Sequence, residues 1–123
     1  MDAAARSGEA RTEDHMPYYM CQVSYSKDSI ATLMKKSHDR TEVIRSAVAK
    51  SGGKLHGFWY AFGEYDAVLI LEMPDNASAA ALPLAAAASG AISASHTTVL
   101  LTPTEGIAAL KKASQSGYRP PRK

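Results

Sequence analysis

The 123-residue sequence predicts one α+β domain with the element order β-α-β-β-α-β and a short closing helix. Three observations predict it. Two strand-like runs, Leu55 to Phe62 and Ala67 to Met73, have only Gly63-Glu64-Tyr65 between them, short enough to force an antiparallel hairpin. Segments with helical spacing precede and follow that hairpin. A further strand-like segment stands at each end, Pro17 to Tyr25 and Ala91 to Leu101.

Each element has its local cause. Aromatics, Val23 and alternation mark the first strand. Ser26 is placed to cap a helix whose apolar residues Ile30, Leu33 and Met34 recur at three and four positions. Ser37-His38-Asp39-Arg40 interrupts it. A second stretch carries Val43, Ile44, Ala47 and Val48 on one face and stops at Gly52-Gly53, so we expect one helical arm with a break. At that break the polar groups of His38-Asp39-Arg40 either border a pocket mouth or, the commoner outcome, serve the helix, Asp39 acting as the N-cap of the second piece with Glu42 at its third position. Asp75 or Asn76 caps the alanine-rich segment Ala77–Ala88, which Pro83 should kink at a cost of about 3 kcal/mol. Thr102-Pro103-Thr104-Glu105 is a capping box with proline at the first helical position, opening a last helix with Ile107 and Leu110. The plan is ferredoxin-like, with sheet order 4-1-3-2.

Residues 1–15 are small, polar and charged and are expected to be a disordered extension; Met16 is a candidate natural start. The folded domain is expected over residues 16–114, and residues 115–123 form a basic tail ending Arg119-Pro120-Pro121-Arg122-Lys123. Fourteen Lys and Arg against 12 Asp and Glu leave a net charge of +2, too weak to argue for nucleic acid. One cysteine, Cys21, excludes an internal disulfide and a thiolate metal cluster. No run of 18 apolar residues suggests a membrane span, and the default location is cytoplasmic.

Several residues look familiar as an ordered set: Gly53-Lys54-Leu55, the aromatic strand, Phe62-Gly63-Glu64-Tyr65-Asp66, Glu72-Met73-Pro74-Asp75, and Gly90 before a threonine-bearing strand. Together, from about Met16 to Leu110, they resemble the GYD domain family. The resemblance implies a dimeric α+β barrel in which the open faces of two four-stranded sheets pack together. Relatives by fold include cofactor-independent monooxygenases, small-molecule-binding regulators and stress-response proteins, so the fold does not choose a chemistry. His38, His96 and Pro83 depart from the usual pattern. In physical terms Gly63 is expected to supply a positive φ for the turn. Asp66 is expected to accept from turn amides, and Tyr65 to lay its ring over the hairpin end. These roles for Gly63, Tyr65 and Asp66 are structural.

Parity assigns faces. With Phe62 opposite Asp66, the hairpin pairs Tyr60 with Val68, Phe58 with Ile70 and His56 with Glu72. One face then carries His56, Phe58, Tyr60, Val68, Ile70 and Glu72 and is expected to look into the barrel. The other carries Leu55, Gly57, Trp59, Ala61, Ala67, Leu69 and Leu71 and is expected under the helices. A one-residue bulge would invert this. The open face also carries Met20 and holds more apolar surface than a soluble chain leaves in water, so a homodimer or higher oligomer is expected.

Candidate chemistry is sparse. His56 beside Glu72 is either an ordinary cross-strand charge pair, the commoner outcome, or an acid–base pair. Tyr60 is the candidate substrate-holding hydroxyl. Phe58, Ile70 and His96 are candidate pocket residues. Tyr19, Tyr25, Tyr60 and Trp59 are either core or the walls of a pocket for an aromatic, quinone-like molecule. Cys21 reads as an inert buried thiol. His96 and His56 fall on opposite sheet edges, no HxH or HxxxH spacing occurs, and neither a metal nor a cofactor is expected. No GxSxG, P-loop, GxGxxG, HExxH or CxxC occurs. The sequence therefore supports a small oligomeric domain binding a small apolar ligand. The alternative is a cofactor-independent monooxygenase- or isomerase-like enzyme acting on a small aromatic or quinone-like substrate. A third reading is an interaction module using the Arg119–Lys123 tail.

Overall fold

The computed structural model describes residues 16–121. Its elements are β1 (Tyr18–Tyr25), α1 (Lys27–Lys35), α2 (Thr41–Lys50), β2 (Lys54–Tyr60), β3 (Ala67–Glu72), α3 (Asn76–Ala88), β4 (Ile92–Leu100) and α4 (Pro103–Ser114). The four strands form one antiparallel sheet in the order β2-β3-β1-β4, the expected 4-1-3-2 read from the other edge. The extension expected over residues 1–15 and the last two residues of the tail lie outside the described residues.

The helices begin where side chains satisfy free amides. Ser26 accepts from the Ser29 amide at 3.1 Å and starts α1. The expected arm is two separate helices, because Lys36 closes α1 and Asp39 opens α2 from one residue further out than expected. Asp39 Oδ1 accepts from the Thr41 amide at 2.9 Å and from its hydroxyl at 2.6 Å. Asp75 accepts from the Ser78 amide at 2.8 Å and starts α3. These bonds, to Thr41 and to Ser78, hold both carboxyls below the ordinary aspartate range. The α3 helix runs through Pro83, which is buried. At α4 the capping box forms as expected, Thr102 accepting from the Glu105 amide at 3.1 Å and Glu105 from the Thr102 amide at 2.8 Å.

Among the described residues, helices cover only one sheet face. On β1, Tyr19, Cys21 and Val23 point under the helices and are 1%, 6% and 8% exposed. Ala67, Leu69 and Leu71 do the same on β3, and Val48, Met73 and Ala79 complete the core. Each large apolar side chain so buried contributes about 1.5–3 kcal/mol. Tyr19 keeps its hydroxyl satisfied by donating to Asn76 Oδ1. Burial also pushes the Cys21 thiol up, which keeps it an unreactive neutral thiol.

The hairpin differs from expectation at two points, and the two differences compensate. The Ala61 amide donates to the Asp66 carbonyl at 2.9 Å, so the loop is the four residues Phe62–Tyr65. Within it Phe62, not Gly63, takes the positive φ, at 51°. This shifts the pairing by one residue, setting Trp59 opposite Val68 and Tyr60 opposite Ala67. A one-residue shift exchanges faces. Phe58 and Tyr60 therefore turn toward the helix side, and Gly57 and Trp59 toward the open side, the reverse of the sequence assignment. A bulge between Leu55 and Gly57 then restores the original parity, so that Leu55 pairs with Leu71 and Lys54 with Glu72. Leu55 is buried and His56 lies on the open side, both as expected.

Candidate functional site

The uncovered sheet face is the candidate site, and strand register builds it row by row. One row runs Trp59, Val68, Gln22 and His96; the next runs Gly57, Ile70, Met20 and Thr98. A third brings together Glu72, Tyr18 and Leu100, with His56 reaching it from the bulge. Trp59 is 57% exposed although it is the only tryptophan of the chain. Its ring lies over Gly57, where a Cβ would stand 2.2 Å from the indole edge. Glycine there is what lets the ring lie down along the sheet.

At one end of this face, His56 Nε2 lies 2.9 Å from Glu72 Oε1. The pair is shielded: the His56 side chain is 34% exposed and that of Glu72 17%. Tyr18 leans over the imidazole, ring centroids 5.0 Å apart. Toward an ionised Glu72, Nε2 acts as donor, which leaves Nδ1 of a neutral His56 with its lone pair free. The arrangement can therefore accept a proton or a hydrogen bond at Nδ1 while Glu72 holds the ring. Beside Tyr18, an open cavity of about 410 Å3 is bounded by Met16, Pro17, Leu100, Leu101, Thr104 and Glu105.

The GYD tetrapeptide meets the opposite end. Asp66 Oδ2 accepts from the Tyr25 amide at 2.9 Å, tying the turn to the end of β1 rather than to the turn's own amides. The Asp66 amide donates to the Val23 carbonyl at 2.8 Å. Tyr65 extends beyond the hairpin toward His96, ring centroids 6.3 Å apart.

The predicted site residues thus divide. His56, Glu72, Ile70 and His96 share the open face, whereas Phe58 and Tyr60 lie on the other side, beside Tyr25. Tyr19 is core. One open-face residue escaped the sequence reading, Tyr18, and Trp59, expected on the helix side, reaches the open face through the register shift. Tyr18 was accessible to parity, since it alternates with the buried Tyr19, Cys21 and Val23. Among the described residues no group of three or more His, Cys, Asp or Glu converges as a metal site. Among those residues no helix is long and apolar enough to cross a membrane.

The family model of the GYD domain matches residues 19–110. No curated protein matches the sequence. Among solved structures, that of MtbAldR resembles the chain with a TM-score of 0.53 at 13% identity, covering 78% of this chain and 60% of that one. The transcriptional regulator NMB0573 of Neisseria meningitidis, solved as a complex with L-Met, gives 0.47 at 15% identity, covering 84% of this chain and 61% of that one. The chain thus spans about three fifths of the length of these structures. The likeness to MtbAldR shows the ferredoxin-like α+β fold.

Proposed function

The chain belongs to the GYD domain family, and from that premise we propose that it works as a homodimer whose two open sheet faces close a chamber for a small apolar ligand. The observation that carries this is the uncovered face itself. Trp59 lies over it 57% exposed, and Met20, Val68 and Ile70 stand beside it only half-buried. A second copy supplies the one cover with matching chemistry, because an isologous contact sets the same apolar rows against each other. His56, Glu72, Gln22 and His96 would then be the few polar groups lining an apolar chamber, the usual composition of a small-molecule site.

The test is light scattering at micromolar concentration, with native mass spectrometry of protein purified from its source. A dimer that Trp59→Lys or Ile70→Lys converts to a folded monomer, with a retained small molecule, supports the reading. A wild-type monomer at that concentration removes it.

One observation favours a second reading, the 2.9 Å contact between His56 and Glu72. In it the same chamber is a cofactor-independent monooxygenase- or isomerase-like active site for a small aromatic, quinone-like substrate, with Nδ1 of His56 as the base and Glu72 as its positioning partner. Turnover of a hydroquinone in air that disappears in His56→Ala, with dimerisation intact, distinguishes it from simple binding.

A further inference from the structure

A second concavity lies on the opposite, helix-covered side of the sheet. It is a cleft of about 280 Å3 between α1 and the end of β2. Ile30, Leu33 and Met34 form one wall; Tyr60 and Phe62 form the other, with His38 beside them. Three features set it apart from a chance hollow.

The first is the aromatic wall. The rings of Tyr60 and Phe62 are stacked, centroids 5.3 Å apart and planes within 11°. Phe58 and Tyr25 back them at 5.4 and 6.4 Å from Tyr60. The second is strain. Phe62 holds a left-handed backbone, φ 51°, while the adjacent Gly63, which could adopt it freely, does not. The backbone thus spends conformational energy at the residue whose ring, 67% exposed, faces the cleft. The third is a fixed polar group. His38 Nδ1 lies 3.0 Å from the Lys36 carbonyl. A carbonyl only accepts, so Nδ1 carries the hydrogen and Nε2 of the neutral ring is an acceptor. Ser37 offers a ligand no hydrogen, since its hydroxyl already donates to the Leu33 carbonyl at 2.9 Å.

From these residues we infer that the helix-side cleft binds a neutral one- or two-ring aromatic bearing a hydroxyl, its ring between Met34 and the Tyr60–Phe62 wall and its hydroxyl donating to His38. The volume sets the ring count, because pockets for larger ligands start at about 300 Å3. The hydroxyl is set by His38, whose Nε2 accepts a hydrogen. Charge around the cleft is mixed: Lys35, Lys36 and Arg40 stand near the lining residues, and so do Asp39, next to His38 in the chain, and Asp66, which acts on the Tyr25 phenol as Arg40 does. The site is independent of the open sheet face and stays accessible if that face is covered.

Fluorescence titration with 2-naphthol, with naphthalene as the reference, tests the inference on the full chain. Naphthol should bind saturably at one per chain, and naphthalene about five- to tenfold more weakly for want of the donor. Phe62→Gly keeps the left-handed backbone without strain and removes the ring; it should weaken naphthol at least tenfold. Met34→Asp, at a position 78% exposed, should do the same with the fold intact. His38→Ala should bring naphthol and naphthalene to equal affinity. The inference is overturned if naphthol does not saturate. It is equally overturned if affinity survives Phe62→Gly and Met34→Asp but is lost in Trp59→Ala, which would place the ligand on the open face.

Discussion

The indole of Trp59 lies across Gly57, two residues earlier on the same strand, so closely that a Cβ on Gly57 would come within 2.2 Å of the ring. The contact is with the far edge of a side chain that is 57% exposed, so the ring rather than the strand should yield. Gly57→Ala is therefore expected to cost only about 1 kcal/mol in urea unfolding. The larger effect should be on the open face. The displaced indole should red-shift its emission, and any self-association through that face should weaken. Unchanged emission would mean that the ring does not rest on Gly57.

Gly53 presents the opposite case. Its missing Cβ would meet the Glu72 carbonyl oxygen at 2.4 Å and Met73 Sδ at 2.3 Å, atoms of backbone and core. Gly53→Ala should cost about 2–3 kcal/mol. Gly63→Ala should change stability by less than about 0.5 kcal/mol, since nothing lies within 4 Å and its φ is not positive. Thermal melts of the pair check both expectations. The more recognisable glycine of the GYD tetrapeptide is thus the more replaceable one in this chain.

That contrast explains what could be read in advance. The capping box at Thr102 follows from local pattern, the strand order from the ferredoxin-like plan, and the His56–Glu72 contact from the hairpin and its parity. The register of the hairpin does not. Whether the turn holds three residues or four depends on Phe62 entering the left-handed region, a conformation that its residue type disfavours. That choice moved Phe58 and Tyr60 to one face and Trp59 to the other. The His56–Glu72 contact survived because the bulge at Leu55/Gly57 undid the shift before His56 was reached. Parity thus located that pair correctly through two displacements that it did not contain.

Asp66 joins the turn to β1 through the Tyr25 amide at 2.9 Å. Asp66→Ala removes the acceptor and leaves that partly buried amide without it, so a loss of about 1–3 kcal/mol is expected. Asp66→Asn retains an acceptor oxygen and should recover about half. Equal losses in the two variants, measured by urea denaturation, would show that the negative charge matters and the hydrogen bond does not.

Tyr25 supplies the pH dependence. Burial foremost, and then the neighbouring Tyr60, push its phenol from 10.0 up to about 12. The folded chain therefore keeps its proton where the unfolded chain has lost it. The stability contributed by the neutral phenol is fully present below pH 10. It declines as pH rises from 10 toward 12, because the unfolded state ionises first and is favoured by it, and it levels off above. Lysines titrate in the same range, so the informative quantity is a difference. Wild type should lose more stability between pH 9 and 12 than Tyr25→Phe, which has no phenol to ionise. Parallel stability–pH curves for the two proteins would mean that Tyr25 ionises as freely in the folded chain as in the unfolded one.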